Sequence, residues 1–192
     1  FTQIDIETSF LPTDQFLPLM EEMVAQFWKS TLGIDLPLPF PRLTYQEAID
    51  RFGLDAPDMR FAMELIDVTS VFTETQFKVF SEVIAKGGVI KVLNVKGGAS
   101  LSRKELDELT EYVKIFRAKG LAWIKLSNGE ASSPILKFFS EAEKKALFAK
   151  TDFMEGDLLL FGADQPKVVH DSLGNLREHL GAKLGLIDKN KW

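Results

Sequence analysis

The chain has no cysteine and only two histidines, His170 and His179, in 192 residues. The first absence excludes a disulfide scaffold and thiolate metal sites, and it suits a cytoplasmic protein. The second argues against a histidine-rich metal centre, and no metal site is expected. No apolar run approaches the roughly 18–20 residues of a membrane span, so no membrane partner is expected. No cationic leader with an apolar core opens the sequence, so no secretory signal is expected. Low-complexity tracts and internal repeats are missing. So are a Ser-His-Asp order, an HExxH pair, a GxGxxG turn and the GxxxxGK[ST] spacing of a phosphate loop.

What is present is ordinary for a globular protein: 45% hydrophobic and 27% charged residues. The net charge of −5 is unevenly spread. Residues 1–77 hold 4 Lys/Arg against 13 Asp/Glu, residues 78–126 hold 10 against 5, and residues 127–192 hold 9 against 10. A basic middle in an acidic chain points either to a polyanion contact or to solvated helix faces.

Periodicity organises the chain into two parts. Residues 1–10, FTQIDIETSF, alternate strictly and predict a strand. Leu17, Met20, Val24, Phe27 and Trp28 predict an amphipathic helix capped by Thr13 or Asp14, with Pro18 in its first turn and Gly33 closing it. The proline-rich DLPLPFPRLTY reads as an extended linker or edge strand. In TYQEAIDRFG, Thr44 and Glu47 form a capping box and Gly53 a terminator. LDAPDMRFAMEL reads as irregular. From about residue 75 the texture changes. FKVFSEVIA and KGGVIKVLNV predict two strands separated by a glycine turn. A helix runs from the Ser102/Glu105 box to Gly120, and LAWIKLS is a strand. Two short helices break near Ser140, GDLLLFGAD is a buried strand, and a closing helix carries Val168, Val169, Leu173, Leu176, Leu180 and Leu184 on one face. These elements predict an α+β fold: a mostly antiparallel sheet with helices on one face.

Gln3, Asp5 and Glu7 would stand roughly 6.5–7 Å apart on one face of the opening strand. Such a line of acceptors can hold an ammonium group, or it is an exposed polar face. KGGAS ahead of a helix is either an anion-binding turn or a flexible connection, with Lys96, Arg103 and Lys104 beside it. The two histidines read as surface or half-buried residues, and Trp28, Trp123 and Trp192 as packing aromatics.

FTQIDIETSF resembles the second strand of motif 2 in class II aminoacyl-tRNA synthetases, specifically the bacterial-type aspartyl-tRNA synthetases. PFPRLTYQEAIDRFGLDAPDMRFAMELIDVT is similar to that family's catalytic domain just before its large insertion. VKGGASLSRKELDELTEYVKIFRAKGLAWIKL and GDLLLFGADQPKVVHDSLGNLREHLGAKLGL resemble the insertion itself, the GAD module, which is shared with a subunit of tRNA-dependent amidotransferases. LIDKNKW resembles the return towards the catalytic sheet.

The resemblance implies three parts: residues 1–75 as a partial catalytic domain, 76–185 as the GAD insertion domain, and 186–192 as the return segment. It implies a parent that activates aspartate with ATP and Mg²⁺ and transfers it to tRNA(Asp), working as a homodimer. Gln3 and Asp5 would flank the amino-acid pocket, with Asp5 pairing the substrate ammonium, and Glu7 would lie on the nucleotide side. The motif 2 and motif 3 arginines, the aspartate-loop lysine and the anticodon-binding barrel have no counterpart here. The chain alone is therefore expected to form no adenylate and to carry no cofactor. Lys96, Arg103, Lys104 and Lys125 are the candidates for a phosphate contact to the tRNA acceptor arm. The alternative is a free-standing α+β RNA- or protein-binding module without catalysis. An opening strand without neighbours would leave residues 1–60 adhesive.

Overall fold

The computed structural model describes residues 1–191, and Trp192 lies outside them. The chain divides into two compact units, residues 1–43 and 44–191.

In the first unit residues 1–10 form no strand, contrary to the alternation. A strand needs a partner for its N–H and C=O groups, and none is formed with this segment among the described residues. Helix α1, Thr13–Leu32, follows, with Pro12 as its N-cap residue and no side-chain cap. Pro18 therefore stands inside the helix, past the first turn. Gly33 ends α1 in the left-handed region (φ 69°), its N–H on the Lys29 carbonyl at 3.0 Å. Glu21 then fixes the returning chain. Its carboxylate accepts from the Phe40 N–H at 3.2 Å and from Arg42 at 2.7 Å.

The second unit opens with α2, Tyr45–Phe52, built on the expected Thr44/Glu47 box and ended by Gly53. Next come β1, Leu65–Asp67, α3, Lys78–Ala85, and β2, Val89–Val95. They are followed by α4, Arg103–Lys114, β3, Ala122–Ser127, β4, Glu130–Ser132, and α5, Glu141–Thr151. The unit closes with β5, Leu158–Asp164, and α6, Pro166–Lys183. Among the described residues five strands form one antiparallel sheet in the order β1-β2-β5-β3-β4.

Segment 77–85, read as a strand, forms helix α3 from Lys78 onward, with Phe77 as its N-cap residue. Phe77, Phe80 and Ile84 recur at helical spacing and meet one core, a pattern that outweighs local β-propensity. Helix α4 stops at Lys114 rather than Gly120, because the chain turns through Arg117 at φ 70°.

The sheet is antiparallel as expected, but it is covered on both faces. Alternate residues of β2 and β5 supply two cores. Leu93, Val95, Leu158 and Leu160 pack with Leu106 and Leu109 of α4 and with Leu173 and Leu176 of α6. Ile90, Val92, Leu159 and Phe161 pack with Phe80 of α3 and Leu147 of α5. Both faces of β5 are apolar, which is why it reads as a continuous hydrophobic run rather than an alternating one.

Candidate nucleic-acid interface

The basic residues of segment 78–126 are placed by the sheet and by α4. Register sets Val95, Leu158 and Lys125 in one row across β2, β5 and β3. Lys96 follows that row, and its ammonium donates to the Asp157 carboxylate at 2.8 Å and to the Asp152 carbonyl at 2.5 Å. Asp157 also accepts from the Met154 N–H at 2.9 Å and from Asn94 at 3.3 Å. Burial alone would raise the Asp157 carboxyl. The bonds from Lys96, Met154 and Asn94 reverse that and hold it below the usual carboxylate range. Burial likewise opposes the charge on Lys96, and the bond from Asp157 overcomes it.

Helix α4 begins at a second capping box. Ser102 accepts from the Glu105 N–H at 3.3 Å, and Glu105 accepts from the Ser102 N–H at 2.8 Å. The backbone and hydroxyl of Ser102, with Lys183 at 3.2 Å, lower the Glu105 carboxyl to about 2. Arg103 and Lys104 project from this first turn, 70% and 87% exposed. Each has an acidic neighbour one turn on, Asp107 at 3.1 Å and Glu108 at 3.9 Å. Lys125 is different. Its ammonium donates to the Leu101 carbonyl, and burial lowers its basicity.

Trp123, read from the sequence as a packing residue, links two of these cations. The Arg103 guanidinium and the Lys125 ammonium each lie 5.9 Å from its ring centroid. The signal in the sequence is the Trp123/Lys125 pair, two apart on one strand face. The glycine turn is not an open cradle. Ala99 N–H bonds the Gly156 carbonyl at 2.9 Å, and Leu101 N–H bonds that of Gly98 at 3.1 Å. A side chain at Gly98 would meet Leu158 Cβ at 2.9 Å, so close packing accounts for that glycine.

Gln3, Asp5 and Glu7 are exposed on the irregular opening segment of the first unit. Neither histidine joins them. His170 is half-buried on α6, where burial first, then the Lys91 charge, lowers its pKa. His179 stacks on Tyr112 at 4.5 Å. No helix is long and apolar enough to cross a membrane among the described residues.

The family model of the GAD domain matches residues 80–173, the stretch from α3 through the first half of α6. The whole chain is similar to a longer protein as well. It is 52% identical over 192 residues to the aspartate–tRNA(Asp/Asn) ligase of Natranaerobius thermophilus, covering 100% of this chain and 33% of the relative. The corresponding ligase of Aquifex aeolicus is 48% identical over 192 residues, 100% of this chain and 32% of the relative. The aspartate–tRNA ligase of Oceanobacillus iheyensis is 51% identical over 193 aligned positions, again 100% and 33%. The chain thus spans about a third of the length of the curated relatives it matches. The matched stretch holds the sheet strands β2, β5 and β3 and the residues Lys96, Arg103, Lys104 and Lys125.

Proposed function

We propose that the chain is part of an aspartate–tRNA ligase. Residues 1–75 would be a portion of its class II catalytic domain, 76–185 the GAD insertion and 186–192 the return. The observation that carries this reading is an overall identity near 50% in alignments that cover the whole chain, and so extend beyond residues 80–173 on both sides. In that setting residues 1–10 gain strand neighbours, and Gln3, Asp5 and Glu7 line one face beside the amino-acid pocket. Asp5 then pairs with the aspartate ammonium, and ATP is the second substrate. The relatives' names differ on whether tRNA(Asp) alone or tRNA(Asn) too is charged. No group of three His, Cys, Asp or Glu that could hold a metal ion occurs among the described residues.

A chimera tests the proposal. This chain replaces the matching third of the Natranaerobius ligase. The chimera is expected to exchange pyrophosphate with ATP in the presence of aspartate and to charge tRNA. The chain alone is expected to give no exchange above a no-protein control. Asp5→Asn in the chimera should lower kcat/KM about 10- to 100-fold, the worth of one charged hydrogen bond. A folded but inactive chimera, or turnover by the chain alone, overturns the reading.

A contact with tRNA by the GAD domain is the second part of the proposal. It is supported by the exposed Arg103 and Lys104 on the first turn of α4 and the cations on Trp123. Phosphate contacts of this kind position an RNA without reading its sequence.

A further inference from the structure

A cavity of about 430 Å³ opens in the second unit at the end of the sheet away from Lys125. Its volume lies within the range of about 300–1,000 Å³ typical of small-molecule sites. It exists because β3 starts late. The β3–β5 ladder begins at Ala122↔Phe161, so Gly162, Ala163 and Asp164 have no neighbour on that side. Beyond Ala122 the chain swings away through Gly120 and Lys119, which line the opposite wall.

The ladder fixes which backbone groups face this gap. Residues of a central antiparallel strand bond alternately to one neighbour and the other. Leu126 N–H bonds the Asp157 carbonyl at 3.1 Å, so 157, 159, 161 and 163 aim at β3. On the other side, Ala163 stands opposite Ile90. Both polar groups of Ile90 turn the other way, to Val68 N–H and Thr69 Oγ1 at 2.9 Å each. The N–H and C=O of Ala163 therefore point into the cavity, with no partner there among the described residues. Ala163 is partly buried, and an unpaired strand edge offers its donor and acceptor to an incoming partner.

The cavity is also layered. Val79 and Val83 of α3 stand among its lining on one side of the sheet, and Val168 and Val169 of α6 on the other. The space between is the thickness of the sheet. At the rim Lys86 and Lys119 are matched by Glu82 and Asp164, with Lys119 3.1 Å from Asp164. Nothing there selects a net charge.

We propose that this slot binds the planar, neutral ring of a nucleobase. The ring lies in the sheet plane where the next β3 residue would sit. Its edge accepts from Ala163 N–H and donates to Ala163 C=O, while the valines of α3 and α6 cover its faces. The 118–121 loop closes the third side, so the slot suits one ring better than a running peptide strand. The base could come from a free nucleoside or from an unpaired nucleotide of an RNA.

Amide NMR on the full 192-residue chain tests it, with adenosine, AMP and a short single-stranded adenylate as probes. Saturable shifts are expected at Ala163 and Gly120. N6,N6-dimethyladenosine, which lacks the donor, should bind at least tenfold more weakly. A Cβ at Gly120 meets nothing within 4 Å, so Gly120→Leu should fold and abolish the shifts. Val168→Phe narrows the slot from the α6 side and is the second variant. Tighter binding of the oligonucleotide than of adenosine assigns the source to RNA, and equal binding assigns it to the nucleoside. Absence of saturable shifts with all three probes overturns the proposal. So does saturable binding of an extended tetrapeptide without any adenosine response.

Discussion

The ammonium of Lys96 lies 2.8 Å from the buried carboxylate of Asp157. A basic residue singled out for phosphate contact is thus already engaged inside its own fold. The two roles compete for its three N–H groups, which already reach Asp157 at 2.8 Å and the carbonyl and carboxylate of Asp152 at 2.5 and 3.4 Å, so a phosphate would displace the longest of these. They also make different demands on pH.

Asp157 has a carboxyl held below its ordinary value, so its contribution to stability has a definite sign. It is fully present above the unfolded carboxylate pKa of about 3.9. It is lost as pH falls through the lower, folded value. Asp157→Asn should flatten the acid arm of a stability–pH profile below about pH 4. At neutral pH it should cost about 1–3 kcal/mol, because Lys96, Asn94 and the Met154 N–H lose a charged acceptor. Urea melts between pH 3 and 7 check this, and an unchanged acid arm would count against it.

Arg177 is the most consequential buried polar residue. Fully buried on α6, it donates to the carbonyls of Met63 at 2.6 Å, Asp58 at 2.8 Å and Phe61 at 3.1 Å. Its guanidinium lies 4.1 Å from the Phe61 ring and 4.8 Å from that of Phe52. It holds the irregular 58–63 segment, including Met63 at φ 110°. Arg177→Met keeps the volume but leaves those carbonyls without donors, at about 1–3 kcal/mol each. The expected result is a urea midpoint lowered by the equivalent of more than about 3 kcal/mol with the slope retained. Arg177→Lys should recover only part, since an ammonium lacks the planar fork.

The role of Arg177 was invisible in the sequence, where it is one charged residue on an amphipathic helix; nothing local reveals three carbonyls over a hundred positions away. Other features were legible because their causes are local. The Thr44/Glu47 and Ser102/Glu105 boxes formed as read, since capping needs only residues three apart. The β3–β4 hairpin went unread although Asn128-Gly129 marks it, both residues at positive φ. There the second strand is only three residues long and too short for a periodic signal. The opening FTQIDIETSF has strand alternation but lacks a strand, because pairing is non-local and no strand pairs with it among the described residues. The cavity beside Ala163 was unreadable for a similar reason: it arises from where β3 begins relative to β5.

Salt distinguishes an RNA contact through the first turn of α4 from a bracing role. Arg103→Ala with Lys104→Ala removes two exposed cations without touching the core. If tRNA is bound through phosphates, log K falls with log salt by about 0.7–0.9 per contact, and the double variant reduces the slope by about 1.4–1.8. Trp123→Ala should weaken binding with little change in slope, because an aromatic face contributes no counterion release. Fluorescence anisotropy of labelled tRNA from 50 to about 300 mM salt reads both. A slope unchanged in the double variant removes α4 from the interface.

Gly53 ties α2 to α6 through contact rather than flexibility alone. Its φ is +79°, and a Cβ there would lie 2.5 Å from the His170 carbonyl and 2.9 Å from Gly174 Cα. Both obstacles are backbone of a packed helix, so neither can rotate aside. Gly87 offers the control within the same unit: φ +70° with nothing within 4 Å. Gly87→Ala should cost about 1–2 kcal/mol, the strain of a left-handed L-residue. Gly53→Ala should cost that and a further penalty for separating α2 from α6, so its urea midpoint should fall clearly below that of Gly87→Ala. Equal midpoints would mean that the chain relieves the contact by a shift of α2, and that the α2–α6 approach is not set by this glycine.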